Sequence, residues 1–460
     1  TCNFSQPCQS PIQKIHTNLV SASVQLTSNN EIPVKSTNYV YQLKLRMRAG
    51  LVFLLFGLIM LTCGGSVSAI DYFEITNPKF IPVKVGLSKE SSPEVVFLQN
   101  VFKTNLEKVL YFQFITESKE EFDQSEEVIF HLDLELKSKP FLLKIMLWSQ
   151  GEKTPVSKEL YPVGTNQDLR KLGLKLADWF VENTLGFEGV STSRISYTAQ
   201  KTNRRKNIFL SSFDGTVLKR FSYNLGSNNL SSWSFDGNNI LYTTLTRSSA
   251  QLAIQPAKRL RAKILSFPSG FQPLSASWNL DGESILLTLM KQGNADIYNY
   301  HLENAQLDKI FAWKSLETSP QMSPDGRKIA FVSDSARPRR PQIYIHNLNT
   351  LKTERVTFKG NFNSSPKWSP NGTQLIYERQ EKGYFQLYIY TLSTRRHLQL
   401  TFGRFNSEKP DWAPNGKQIV FSAKKKNVPK LYYISSFGGR TIRVTKTPSN
   451  IAETNPVWSK

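Results

Sequence analysis

Three glutamates, Glu317, Glu408 and Glu453, are the groups in this chain best placed for acid–base chemistry, because each falls a few residues before a copy of one repeated phrase. Carboxylates fixed around a ring could work in pairs on a glycosidic bond, with an outcome set by a separation that sequence does not give. Other chemistry is thinly provided. His131, His301, His346 and His397 are far apart in sequence, and no His-x-x-x-His spacing occurs. Cys2, Cys8 and Cys63 are the whole cysteine complement, so the chain beyond residue 63 is free of thiols. There is no Gly-x-Ser-x-Gly elbow, and no glycine-rich loop opens a helix to cradle phosphate. Asp236, Asp281, Asp325, Asn371 and Asn415 invite comparison with calcium ligands, but each precedes a glycine and reads as a turn former.

The elements that must position these residues follow from the repeat. An aromatic or Met, two further residues and then Asp-Gly or Asn-Gly recur at Trp233, Trp278, Met322, Trp368 and Trp412, with a shortened copy at Trp458. The steps are 45, 44, 46, 44 and 46 residues, a period that suits four short strands rather than a helical pair. Each Gly supplies the positive φ of a tight turn, and alternating strands follow, such as Lys328–Ser333 and Gln342–Ile345. Residues 194–222 hold three strands without a leading phrase, while Pro456–Ser459 make one strand with nothing after it. Together they complete a blade, giving six and tying the two ends of the ring. On this reading residue 460 is a natural end of the ring.

Upstream, Met47 and Arg48 precede an apolar run, Leu51–Leu61, and a small-residue exit ending at Ala69. This pattern predicts a secretory signal over 47–69, cleaved after Ala69, with 1–46 a non-native upstream extension. Residues 70–80 form the mature N-terminal segment, 81–188 an α/β domain and 189–460 the propeller. In the α/β domain, Ile81–Leu87 alternates as a strand. Ser92-Pro93-Glu94 opens a helix that places Val95, Leu98, Phe102, Leu106 and Val109 on one face. Val128–Leu136 and Phe141–Trp148 read as a strand pair, and a second helix runs from Asn166 to Leu185 with Gly186 as its stop.

Leu176-Ala-Asp-Trp-Phe-Val-Glu-Asn-Thr-Leu-Gly186, followed by Thr192–Tyr197, resembles the helix-to-propeller junction of the TolB family. Phe331–Asp334 with Arg340-Pro-Gln-Ile-Tyr344 is similar to a blade of the same family, and the likeness extends over about residues 70–460. The resemblance implies a non-enzymatic periplasmic adaptor of the Tol–Pal envelope system, without a cofactor. Its propeller would bind the peptidoglycan-associated lipoprotein Pal, and its mature N-terminus would bind TolA. The second partner would then meet Ile70, Asp71, Tyr72, Phe73, Glu74, Ile75, Thr76 and Asn77. Met322 in place of Trp, and Trp278-Asn-Leu-Asp without Ser-Pro, depart from the pattern.

In a propeller the strand bearing the Trp phrase is innermost, and its entry opens at the mouth of the channel. The candidate contact residues are therefore Glu317, Thr318, Ser319, Asn363, Ser364, Ser365, Glu408, Lys409, Glu453, Thr454 and Asn455. A secreted propeller enzyme acting on envelope glycan through channel carboxylates is the competing reading, and a surface-associated scaffold is a third. Five of the 58 basic and one of the 36 acidic residues lie in residues 1–69, which leaves 70–460 at a formal charge of +18. Such a surface attracts anions, with clusters at Arg204-Arg205-Lys206, Arg337 with Arg339-Arg340, Arg395-Arg396 and Lys424–Lys426, and 245–265 is a further unusually basic stretch.

Overall fold

The computed structural model describes residues 83–459 apart from 90–91, 110, 117, 125–127, 139–140, 152–153, 156, 163–165, 202–203, 217, 224–225 and 312. The expected extension, signal and N-terminal segment, including Ile70–Asn77, lie outside the described residues.

The α/β domain runs β1 (Val83–Leu87), α1 (Pro93–Val109), β2 (Phe112–Thr116), α2 (Lys119–Gln124), β3 (Phe130–Ser138), β4 (Phe141–Ser149), β5 (Ser157–Pro162) and α3 (Asn166–Leu185). Its sheet has the order β2-β1-β3-β4-β5, with β1 parallel to both neighbours and β3-β4-β5 an antiparallel meander. All five residues expected on the inner face of α1 are buried. Gly173 lets α3 approach α1 closely, since a Cβ there would stand 2.8 Å from Val101 Cγ1. Gly186 ends α3 with φ +70° and donates its N–H to Glu182 O at 3.1 Å, as its position predicted. Three elements escape the sequence reading: β2, α2 and β5. They are only five or six residues long and, unlike β1, whose alternation reads on from Ile81, are not set within a longer apolar period.

Six four-stranded antiparallel sheets follow. Blade 1 joins Ile451–Trp458 to Arg194–Lys201, Asn207–Ser212 and Leu218–Arg220, so the two ends of the ring share a sheet as expected. Blades 2 to 6 span 227–264, 272–309, 317–355, 363–399 and 407–443. The phrase-bearing strands are Ser227–Trp233, Gln272–Trp278, Glu317–Met322, Asn363–Trp368, Ser407–Trp412 and Ile451–Trp458. Each lies at one edge of its sheet and packs against the next, which makes them the inner ring.

The tryptophans tie the blades together. The indole N–H of Trp278 donates to Ser232 O, that of Trp368 to Gln321 O and that of Trp412 to Lys367 O, each at 3.1 Å. In every case the acceptor belongs to the residue just before the aromatic or Met of the preceding blade. Met322 has no side-chain N–H to give, and across its joint the Ser277 hydroxyl donates to Pro320 O at 2.8 Å instead. The Asp and Asn of the phrase are committed to their turns: Asp236 accepts from Asn238 N, Asp325 from Arg327 N and Asn371 from Thr373 N. The five glycines that follow have φ between +66° and +70°.

One continuous core runs from the α/β domain into the propeller, from Phe102 and Phe180 to Val420, Tyr433 and Trp458. Polar bonds reinforce the joint. Gln418 Nε2 donates to Val109 O at 3.0 Å, and the buried Lys108 ammonium donates to the carbonyls of Asp214 and Val444. Burial pulls the Lys108 pKa down to about 8, opposed by Asp214. Lys108→Met strands both carbonyls without a donor, so urea unfolding at neutral pH should show a loss of about 1–3 kcal/mol. An unchanged midpoint would mean that these two bonds contribute nothing to the joint.

Candidate functional site

The inner strands repeat at the level of single positions. Counting back from each Trp or Met, the fifth residue is buried in all six strands: Asn228, Pro273, Glu317, Asn363, Ser407 and Glu453. The fourth (Asn229, Leu274, Thr318, Ser364, Glu408, Thr454) and the third (Leu230, Ser275, Ser319, Ser365, Lys409, Asn455) are partly or fully exposed. At the third position Leu230, Ser319, Ser365, Lys409 and Asn455 have φ between +50° and +54°. Left-handed backbone is uncommon outside glycine, and its recurrence marks a bulge built into the ring. The pairing register shifts at this point in each sheet. Bulges commonly re-aim side chains at binding sites, and here they open a polar rim along the inner ring.

Bonds between blades hold that rim. Lys409 Nζ donates to Ser365 Oγ at 2.8 Å, Ser319 N to Ser275 Oγ at 3.3 Å and Asn455 Nδ2 to Asn229 Oδ1 at 2.6 Å. Behind Lys409 stands the buried carboxylate of Glu378, which accepts from Lys409 N and, at 2.8 Å, from Ser364 Oγ. The Glu408 carboxyl is pushed up, mainly by burial and then by the nearby charge of Glu378.

The three glutamates do not form one set. Glu317 and Glu453 occupy the buried fifth position, whereas Glu408 occupies the fourth. Glu317 accepts from Ser315 Oγ at 2.5 Å and Ser333 Oγ at 3.1 Å, and burial raises its pKa against those bonds. Glu453 accepts from Thr445 Oγ1 at 2.6 Å and Thr447 Oγ1 at 2.8 Å, joining its strand to the end of blade 6. Asn363 is likewise internal, donating to Gln342 Oε1 at 3.0 Å and Lys359 O at 2.9 Å. Of the eleven residues expected at the mouth, these three are framework and the other eight lie on the rim.

Sequence reasoning passed over Asn229, Leu230, Leu274 and Ser275, which the same count back from Trp233 and Trp278 would have supplied. It also passed over Glu378, whose only signal is a charge inside the buried strand Leu375-Ile-Tyr-Glu378. Among the described residues no group of three or more His, Cys, Asp or Glu could hold a metal ion, and no helix is long and apolar enough to cross a membrane.

Fold and rim together define a six-bladed β-propeller, preceded by an α/β domain, that offers a ring of bulged, mostly polar positions on its inner strands. The TolB beta propeller domain model (PD40) matches residues 181–460, and the chain belongs to that family. It is 48% identical over 65 residues to the Tol-Pal system protein TolB of Alcanivorax borkumensis, a stretch covering 14% of this chain and 15% of that protein. To the TolB homolog of Chlorobium luteolum it is 29% identical over 204 residues, covering 43% and 44%. The aligned stretches thus span less than half the length of these curated relatives. The crystal structure of TolB from Acinetobacter baumannii has the same fold, with a TM-score of 0.71 at 20% identity, over 82% of this chain and 97% of that one.

Proposed function

We propose that the chain is a periplasmic adaptor of the Tol–Pal system, delivered by a cleaved signal and joining inner-membrane Tol proteins to a peptidoglycan-associated lipoprotein. In that role it supports outer-membrane integrity and cell division. The propeller rim receives Pal, and the segment Ile70–Asn77 receives TolA. The observation that carries this reading is the rim itself: eight expected contact positions fall on one bulged ring, in a chain of the TolB propeller family. A rigid ring that presents donors and acceptors at a repeated position suits the capture of a protein segment.

The competing glycan enzyme requires carboxylates facing a common substrate. The separation of Glu408 from the internal Glu317 and Glu453 favours the adaptor. Calorimetric titration with the soluble domain of a Pal-type lipoprotein tests the reading. Ser365→Gly with Lys409→Gly keeps the left-handed backbone while deleting two rim side chains, and should weaken binding about tenfold or more. Glu317→Gln, behind the rim, should bind as the parent does. Equal affinity for all three proteins would remove the rim from the interface.

A further inference from the structure

Blade 2 carries a surface that an inner-ring adaptor does not use. Between Asp236 and Asp281 the sequence holds no Asp or Glu but five cations, Arg247, Lys258, Arg259, Arg261 and Lys263. The last four cluster on a short loop and on the outermost strand, Lys263–Ile264, both residues of which are exposed. The loop is pinned at each end: Ala257 and Ala262 pack against the core of the blade, and Ala257 N donates to Asn238 O at 2.7 Å. Lys258, Arg259, Leu260 and Arg261 stand out to solvent between those anchors. Gln255 Nε2 donates both to Arg259 O at 2.9 Å and to Phe221 O at 3.2 Å, which draws the outer edge of blade 1 alongside. That edge adds Tyr223, with the Arg220 guanidinium 4.9 Å from its ring centre.

The apolar residues say what kind of anion the patch fits. Leu260 is 69% exposed, Tyr223 51% and Ile264 44%, all among the cations. Water-soluble polyanions reward the charges alone. A bilayer surface rewards both, since lysine and arginine meet phosphate headgroups while leucine, isoleucine and tyrosine enter the interfacial layer. We propose that the outer edge of blade 2 is a docking surface for anionic phospholipid bilayers, centred on Lys258–Ile264. It would hold the propeller edge-on to the membrane and leave the inner rim open.

Vesicle co-sedimentation of the purified chain tests this, using phosphatidylcholine vesicles with and without phosphatidylglycerol. Binding is expected only with the anionic lipid and should fall steeply as salt rises. Replacing Lys258, Arg259, Arg261 and Lys263 by Ser should weaken it about a thousandfold, at roughly fivefold per charge. The pair Leu260→Ser and Ile264→Ser keeps every charge and should still weaken it about tenfold or more. All six positions are exposed, and unchanged melting of both variants confirms folding. If the apolar variant binds vesicles as well as the parent, the patch is a polyanion site and the bilayer assignment fails. No binding to anionic vesicles at low salt overturns it outright.

Discussion

Trp458→Ala should lower the stability of the protein by about 3–5 kcal/mol, the range for truncating a buried aromatic. Trp458 ends the strand that closes the ring and is buried in the core shared by propeller and α/β domain. Its ring centre lies 5.1 Å from Tyr433 and 5.8 Å from Phe213, which are themselves 5.2 Å apart. Its indole N–H donates to Ser193 Oγ at 2.6 Å, and its backbone N–H donates to Asp411 at 2.7 Å. Alanine keeps the backbone bond but loses the ring contacts, the indole bond and the volume. Trp458→Phe, which keeps the aromatic contact, should recover much of the loss. Urea unfolding followed by tryptophan fluorescence and by circular dichroism gives the values. A cost below about 1 kcal/mol would show that closure rests on the strand pairing alone.

The second large effect is acid sensitivity through His397. This imidazole is buried in blade 5, with Nδ1 2.8 Å from Tyr377 Oη and its ring centre 4.8 Å from that of Tyr390. Burial, then the charges of Arg379 and Lys359, pull its pKa down to about 3. An unfolded histidine takes up its proton near pH 6.5, so below that pH the unfolded chain binds a proton the native one refuses. The stabilisation is therefore complete above pH 6.5 and is lost progressively as pH falls toward 3. The loss is about 1.4 kcal/mol per pH unit in that window. His397→Phe should flatten the profile by about 2–3 kcal/mol between pH 6.5 and 4.5, relative to the parent. Asp133 and Asp214, whose pKa values are lowered, add acid lability of their own, whereas the raised Glu317 and Glu408 oppose it. The comparison between parent and variant cancels these contributions. Parallel profiles would mean that His397 titrates normally in the native state.

The propeller was legible because its signal is redundant. Five turns and six phrases at one period specify the blades even where Met322 replaces a tryptophan. Closure was legible by counting strands at the two ends. The α/β domain declared its two long helices, the β3–β4 pair and β1, whose alternation reads on from Ile81, whereas Phe112–Thr116 and Ser157–Pro162 carry no sustained alternation. The rim was legible to within one residue, which was not close enough. In a strand one position decides between core and solvent. Glu317 and Glu408 looked alike until counting placed the first five residues, and the second four, before the Met or Trp. The bulge compounds the problem, because an extra residue with positive φ interrupts alternation and no glycine announces it: the residues concerned are Leu, Ser, Lys and Asn.

The indole bonds between blades also bear on how the ring is made. Trp278, Trp368 and Trp412 each donate to a carbonyl 45 to 47 residues earlier in the chain. In a chain delivered N-terminus first, every such acceptor arrives before its donor. A newly emerged blade can therefore seat on its finished predecessor without waiting for anything downstream. Trp458 alone breaks the sequence, for its indole reaches Ser193 Oγ across 265 residues. The indole bonds between blades thus permit a blade-by-blade assembly, local for all but the last, whose long reach ties the two ends of the propeller together.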